Sequence, residues 1–323
     1  MPDRARLVMD DTRHRDVVGL GVSTLDIIAL VDEFPARQGV QKARDMAIQG
    51  GGPVATAMVA LARLGASVVM IDSLGDDWRG KIILEEFVRE GVGTDLVRVH
   101  HGRISSAASI LVKSDDGSRA IVYLPGNTPD LELSDLDRSA IRHARILHVN
   151  GRHRNACREA VEIARKAHAT VSFDGGADRY QPEMRDLVPH TDICIVAREF
   201  AEKYTGQKDG KQAARLLSDS GPALVVITDG VSGSWIYPRD GKCFHQPAYL
   251  FPKTVDTTGC GDGYHGAFLF GMLRGLELEN TAAHAASAAA LNSQRLGGRA
   301  GLPSLEEVKS FLSERGSDPG IAG

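Results

Sequence analysis

Short apolar runs rich in valine and isoleucine alternate along the chain with stretches in which apolar residues recur every three or four positions. The runs VVGLGV (17–22), VVMI (68–71), ILHV (146–149), TVSFD (170–174), DICIV (192–196) and LVVIT (224–228) predict strands. Helical spacing predicts helices over 53–64, 80–90, 134–144, 154–168 and 209–219, and then, without further strands, over 262–274, 279–296 and 304–315. In the first of these Val54, Met58, Leu61 and Ala62 fall on one face, and Gly65 stands just past the end, where a left-handed residue closes many helices. Strands that are apolar throughout are covered on both faces. Interleaved with helices, they predict an α/β domain with a sheet sandwiched between helical layers.

Two segments interrupt the alternation. Residues 24–49 hold extended pieces (LDIIALVDEF, KARDMAIQ) with no helix between them, and residues 106–125 read as a hairpin turning at Asp115-Asp116-Gly117. Together they predict a small separate sheet, a lid over a crevice that excludes water. Its apolar side chains Ile27, Ile28, Leu30, Ile110 and Val112 predict a face covered by the same sheet of a second subunit, hence a homodimer. The expected organisation is a tail over 1–16, a domain over 17–316 with the lid inserted in it, and a second tail over 317–323.

Composition narrows the choice of partners. With 42% apolar and 25% charged residues the 323-residue chain is an ordinary globular one, and its net charge of −4, mixed along the chain, offers neither a nucleic-acid footprint nor a polybasic membrane patch. No apolar run approaches the roughly 20 residues that span a bilayer. Cys157, Cys194, Cys243 and Cys260 are scattered and form no C-x-x-C pair, which argues against a disulfide framework or a zinc site and favours a cytoplasmic location.

The chemistry concentrates in Asp256-Thr257-Thr258-Gly259-Cys260-Gly261-Asp262-Gly263, which runs into a helix. A Gly-x-Gly turn that opens a helix points several N–H groups outward at the positive end of the helix dipole, a ready anion site. A carboxylate in the same place is at odds with a bound phosphate unless it faces an acceptor hydroxyl. Phosphoryl transfer asks for that combination, donors for the moving phosphoryl and a base for the proton. The plain alternative is a glycine turn with Asp262 as a helix cap.

This string resembles the C-terminal signature D-T-x-G-A-G-D of the ribokinase-like (PfkB) carbohydrate kinases, with Cys260 in the place of the usual alanine. The resemblance extends over about residues 17–312. It implies the ribokinase-like parallel or mixed sheet with a β-sheet lid, and ATP-dependent phosphorylation of a sugar hydroxymethyl group. Asp262 would be the base and Gly259, Cys260 and Gly261 the anion hole. Gly50-Gly51-Gly52-Pro53-Val54-Ala55-Thr56-Ala57 resembles the first signature G-G-x-x-x-N-x-A, with Thr56 where the sugar-holding Asn stands, and Asp26 in GVSTLD matches the family's early Asp that accepts from sugar hydroxyls, so the resemblance puts Asp26, Gly51, Gly52 and Thr56 on the sugar side. Thr228-Asp229-Gly230-Val231-Ser232-Gly233 resembles the T-x-G-x-x-G turn beside the ATP phosphates, which brings in Thr228, Gly230 and Gly233, and Asn292 falls in the stretch that resembles the adenine-side loop.

The resemblance also implies Mg²⁺ carried by ATP, and K⁺ near Asp256 and Gly297-Gly298. Counting back from Thr205-Gly206 puts Ala197 and Phe200 at the N-x-x-E positions, and a one-residue insertion puts Glu199 there as the metal-organising acid. Within the family the chain looks closest to the sulfofructose-kinase-like branch, with Tyr123 and Val40 where that branch carries a lid Asn and Lys. Arg152 stands where the branch has an Arg facing the substrate's anionic end. A neutral ketose or pentose is the leading acceptor, and an anionic one rests on Arg152. A nucleoside kinase on the same scaffold and a non-catalytic sugar or nucleotide sensor are the alternatives. His148, His265 and His284 read as core or surface residues.

Overall fold

The computed structural model describes residues 15–316 and 320. Of the predicted tails, residues 1–14, 317–319 and 321–323 lie outside the described residues. Arg15 and Asp16 are not tail but open the first strand. There the Asp16 amide meets the Ser67 carbonyl at 2.9 Å, and the Asp16 carboxylate accepts from Ser67 N and from Arg145.

In chain order the elements are β1 (Arg15–Leu20), β2 (Thr24–Val31), β3 (Asp45–Gly51), α1 (Pro53–Arg63), β4 (Val68–Gly75), α2 (Trp78–Arg89), β5 (Val97–His100), β6 (Ala107–Lys113), β7 (Arg119–Leu124), α3 (Asp135–Arg142), β8 (Ala144–Val149), α4 (Arg154–Lys166) and β9 (Thr170–Gly175). They continue with β10 (Ile193–Ala197), α5 (Arg198–Thr205), α6 (Gly210–Ser220), β11 (Leu224–Thr228), β12 (Ser234–Pro238), β13 (Phe244–Gln246), α7 (Cys260–Leu273), α8 (Leu278–Asn292) and α9 (Leu305–Ser313). All six predicted strands form. Three strands carry no strong apolar run and are not predicted: the edge strand β5 and the terminal pair β12 and β13. The short α5 is likewise unpredicted. The helix predicted over 279–296 ends at Asn292, and residues 293–296 form a turn instead.

The main sheet runs β13-β12-β11-β10-β9-β8-β1-β4-β5, parallel from β5 to β11 and antiparallel through the last two strands. Period-2 geometry divides its side chains between two cores. Val17, Met70, Ile146, Ile195 and Val226 face α1, α7 and α8, while Val18, Leu20, Leu147, Phe173 and Val196 face α4, α5 and α6. The carboxyl ends of the parallel strands therefore open along one edge of a sandwich whose two sides are closed. No helix among the described residues is long and apolar enough to cross a membrane.

The two interrupting segments build a separate sheet in the order β3-β2-β6-β7. The apolar face predicted for it is corrected. Ile27 and Ile28 are neighbours on one strand and point to opposite sides. Ile28, Leu30, Ile110 and Val112 face inward, where they pack with Ala47, Ala108 and Leu296. The outward face carries Ile27, Ile48, Met46 and Val122, the last 74% exposed. The hairpin tip between β6 and β7 reaches the main domain: Arg119 donates to Thr257 Oγ1 at 2.7 Å, and Thr257 Oγ1 donates to the Gly117 carbonyl at 3.1 Å.

Candidate active site

The turn before α7 is held from both sides. Gly259 occupies the cap position with φ 69°, and a Cβ there would stand 2.2 Å from the Gly298 carbonyl oxygen, so only glycine fits. Asp256 is fully buried. Its two carboxylate oxygens accept from Thr258 N (2.7 Å) and Gly297 N (2.8 Å), so the predicted cation ligand spends its charge on locking this loop. Asn292, predicted on the nucleotide side, is also fully buried and braces the same loop. Its amide donates to the carbonyls of Thr258 and Gly298, and its oxygen accepts from Gly301 N. Both of its amide N–H groups are spent inside the loop and the side chain is shut off from solvent, so its observed part is to brace the turn. The Cys260 thiol is pushed up to about 12, first by burial, and behaves as a small hydrophobe whose backbone opens the helix.

Asp262 lies in the first turn of α7, and its side chain keeps 19% exposure. Burial raises its pKa above the usual carboxylate range. Arg179 opposes this most strongly, while Asp174 adds to it and His265 and Arg119 oppose it more weakly. The Arg179 guanidinium stands between two carboxylates, 4.0 Å from Asp262 and 3.9 Å from Asp174. A carboxyl with its affinity for a proton raised by burial, and held beside a cation, has the character of a general base.

Across the cleft Asp26 is buried at the start of β2 and accepts from Thr24 Oγ1 at 2.7 Å. Burial first, and then the charges of Asp262 and Glu86, push its pKa up to about 6 against the pull of Thr24 and Arg299. A Cβ on Gly51 would fall 2.0 Å from Asp26 Oδ2, and Gly52 has φ 92° with its Cβ position 2.3 Å from the Val22 carbonyl. The glycine loop is thus packed backbone against carboxylate. Thr56, predicted to reach the sugar, is buried, and its hydroxyl accepts from Arg299 Nε at 3.1 Å. It supports the loop from beneath.

Arg152, at the carboxyl end of β8, stacks its guanidinium 5.9 Å over the Tyr123 ring of β7, so the structure brings these two predicted residues together. Arg154 turns away to Glu183, and Val40 projects into solvent. On the far side Thr228 ends β11, and Gly230 and Gly233 have φ 52° and 92°. The Asp229 side chain meets Arg198 at 2.9 Å and holds that turn against α5. Glu199, in the first turn of α5, is paired with Lys203, as a solvated helix-start acid would be.

Several residues escaped sequence reading. Arg119 arrives from the small sheet, Asp174 and Arg179 from the carboxyl end of β9, and His265 from α7 one turn after Asp262. Glu86 and Arg299 come from α2 and the loop after α8. The string Asp174-Gly-Gly-Ala-Asp-Arg179 directly after a buried strand was the signal available for two of them.

Residues 14–305 match the profile of the pfkB family carbohydrate kinases. An uncharacterized sugar kinase of Archaeoglobus fulgidus is 31% identical over 252 residues, covering 75% of this chain and 98% of that protein. A 5-dehydro-2-deoxygluconokinase of Listeria monocytogenes is 26% identical over 322 residues, covering 94% and 97%. Among solved structures, the ribokinase of Arabidopsis thaliana complexed with ribose and ATP is similar at 26% identity with a TM-score of 0.80, covering 92% of this chain and 98% of that one.

Proposed function

The chain belongs to the pfkB family of carbohydrate kinases, and from that premise we propose that it moves the terminal phosphate of ATP onto a hydroxymethyl group of a sugar, with Asp262 as the base. The observation that carries this reading is the pairing of a desolvated Asp262 with a glycine-capped helix start in one turn. The N–H groups of the Gly259–Gly261 turn receive negative charge as the phosphoryl moves. Asp262 accepts the hydroxyl proton, and Asp26 holds the sugar from the opposite side. Arg119, carried by the lid to Thr257, and Arg179 add positive charge around the transferring group. The turn at Thr228, Gly230 and Gly233 takes the nucleotide.

Magnesium would arrive with ATP and offset the negative charge of its phosphates, chemistry that needs few protein ligands. Glu199 could join through water only by giving up Lys203. A monovalent ion such as K⁺ would rest on backbone carbonyls near Asp256 and Gly297, since the Asp256 carboxylate is already satisfied. Supply of ATP fits a cytoplasmic enzyme. The apolar outer face of the lid fits a homodimer closed lid to lid.

A second reading, a sugar acid as acceptor, is favoured by the Arg152 guanidinium beside the cleft and by the gluconate derivative in the name of the Listeria relative. An ATP-consumption screen over neutral sugars, sugar acids, sugar phosphates and nucleosides tests the proposal. Turnover with a sugar or sugar acid is expected. Preference for a nucleoside, or binding without turnover, would sink it.

A further inference from the structure

Beneath Asp262, three side chains from three elements converge in the closed core: His148 from β8, Asp174 from β9 and His265 from α7. Each offers one ligand atom, and these atoms all lie within 4.8 Å of one another. All three residues are buried, at 0%, 2% and 4% exposure. Native proteins pair nearly all buried polar atoms, yet here His148 Nε2, His265 Nδ1 and both oxygens of Asp174 have no hydrogen-bond partner. The unpaired atoms are mostly electron-pair donors.

We propose that His148, Asp174 and His265 form a binding site for a divalent ion of the zinc or cobalt class, which ties the helix start bearing Asp262 to β8 and β9. The donor set, two imidazoles and one carboxylate, suits borderline ions and not magnesium, which prefers oxygen. Ligand bonds of about 2.0–2.1 Å set tetrahedral donors about 3.4 Å apart. His265 Nε2 and Asp174 Oδ1 are already at 3.8 Å, so a few tenths of an ångström of closure suffices for that pair. For His148 and Asp174 the surrounding contacts are of the kind that orient metal ligands. His148 Nδ1 meets Ser172 Oγ at 3.1 Å, which leaves Nε2 to the cluster. Asp174 turns Oδ1 to His265 and Oδ2 to Arg179 (3.9 Å), so the guanidinium steadies the second oxygen.

The site differs from any magnesium that accompanies ATP, and the experiment is read without the phosphoryl-transfer reaction. The full-length protein, stripped with chelator and dialysed, is titrated with CoCl₂ and followed by its visible d–d absorption. A single ion per chain is expected, displaced by ZnCl₂ and unaffected by MgCl₂. The melting temperature should rise with ZnCl₂ in the parent only. His148→Gln and His265→Gln should each weaken cobalt binding at least about tenfold, since even outer-shell partners carry that much. If the parent gives no cobalt bands, or binding survives both substitutions in folded protein, the cluster is a hydrated polar pocket and the proposal is wrong. Should one variant not fold, the parent titration and the other variant still decide.

Discussion

Arg299 and Glu86 meet at 3.3 Å with their side chains only 1% and 4% exposed. The Arg299 fork also donates to the Gly51 carbonyl (2.9 Å) and to Thr56, and Glu86 accepts from Gly50 N, so one ion pair holds both ends of the glycine loop. Two residues before it, Gly297 is bonded to Asp256, which fixes the Gly259–Gly261 turn. Removing one member of a buried pair leaves the other charge stranded. Arg299→Met should therefore destabilise the fold by about 3–5 kcal/mol in denaturant unfolding. Arg299→Met combined with Glu86→Gln should recover most of that loss. Equal losses in the single and double variants would show that the guanidinium contributes through its backbone bonds and not through Glu86.

Asp262→Asn keeps the size and helix-start position but cannot take a proton. Turnover should fall on the order of 100- to 10,000-fold with nucleotide affinity nearly unchanged. Steady-state kinetics and equilibrium binding of a non-hydrolysable ATP analogue measure the two halves. Retained turnover would remove Asp262 from the mechanism.

The strands and the glycine turn before α7 were legible because each depends on local rules. Buried parallel strands are continuously apolar, and a glycine-rich helix start has a fixed pattern. What was not legible is what depends on partners distant in sequence. Glu86 and Arg299 are 213 residues apart, and neither has a local pattern that foretells an ion pair. Asn292 and Thr56 were read from their motif positions as ligand contacts, but neighbouring loops claim their polar atoms first. The lid's inward and outward faces were confused because Ile27-Ile28 supplies an apolar residue to each side, and register alone decides which is which.

Asp26 carries a cost that a pH series can read. Its carboxyl stands at about 6 in the fold against 3.8 for the ordinary side chain, so between those values the folded chain holds the extra proton. Stability from this group is highest below that window and is lost as pH rises through it. Asp26→Asn should therefore be more stable than the parent near neutral pH, by up to about 3 kcal/mol, while acceptor binding collapses. The parent's kcat/KM should decline as pH falls through about 6. A variant no more stable than the parent, with an unchanged acid limb, would contradict the assignment.

The lid's outer face bears Met46, Ile48 and Val122, all exposed in the isolated chain. A second copy covering it would be disrupted by a charge at its centre. Sedimentation at micromolar concentration should show a dimer for the parent and a monomer for Val122→Glu. A monomeric parent would leave this face without the proposed partner.

The charge of the acceptor turns on two guanidinium groups with different surroundings. Arg152 is half-committed to the Tyr123 ring, whereas Arg179 is shared between Asp174 and Asp262, whose charges already balance it. An acid group on the substrate would thus meet Arg152 as the freer cation, with two parallel hydrogen bonds that a hydroxymethyl group cannot match. Arg154 is turned to Glu183 and gives no help. Arg152→Ala should cost a sugar acid about 2–3 kcal/mol more in kcat/KM than a neutral sugar, since a hydrogen-bonded charge loses more than a neutral contact. Arg152→Lys should restore part of the difference, because a point charge replaces the fork only in sign. Equal losses for charged and neutral acceptors would make Arg152 a hydroxyl-binding residue and leave a neutral ketose or pentose as the substrate.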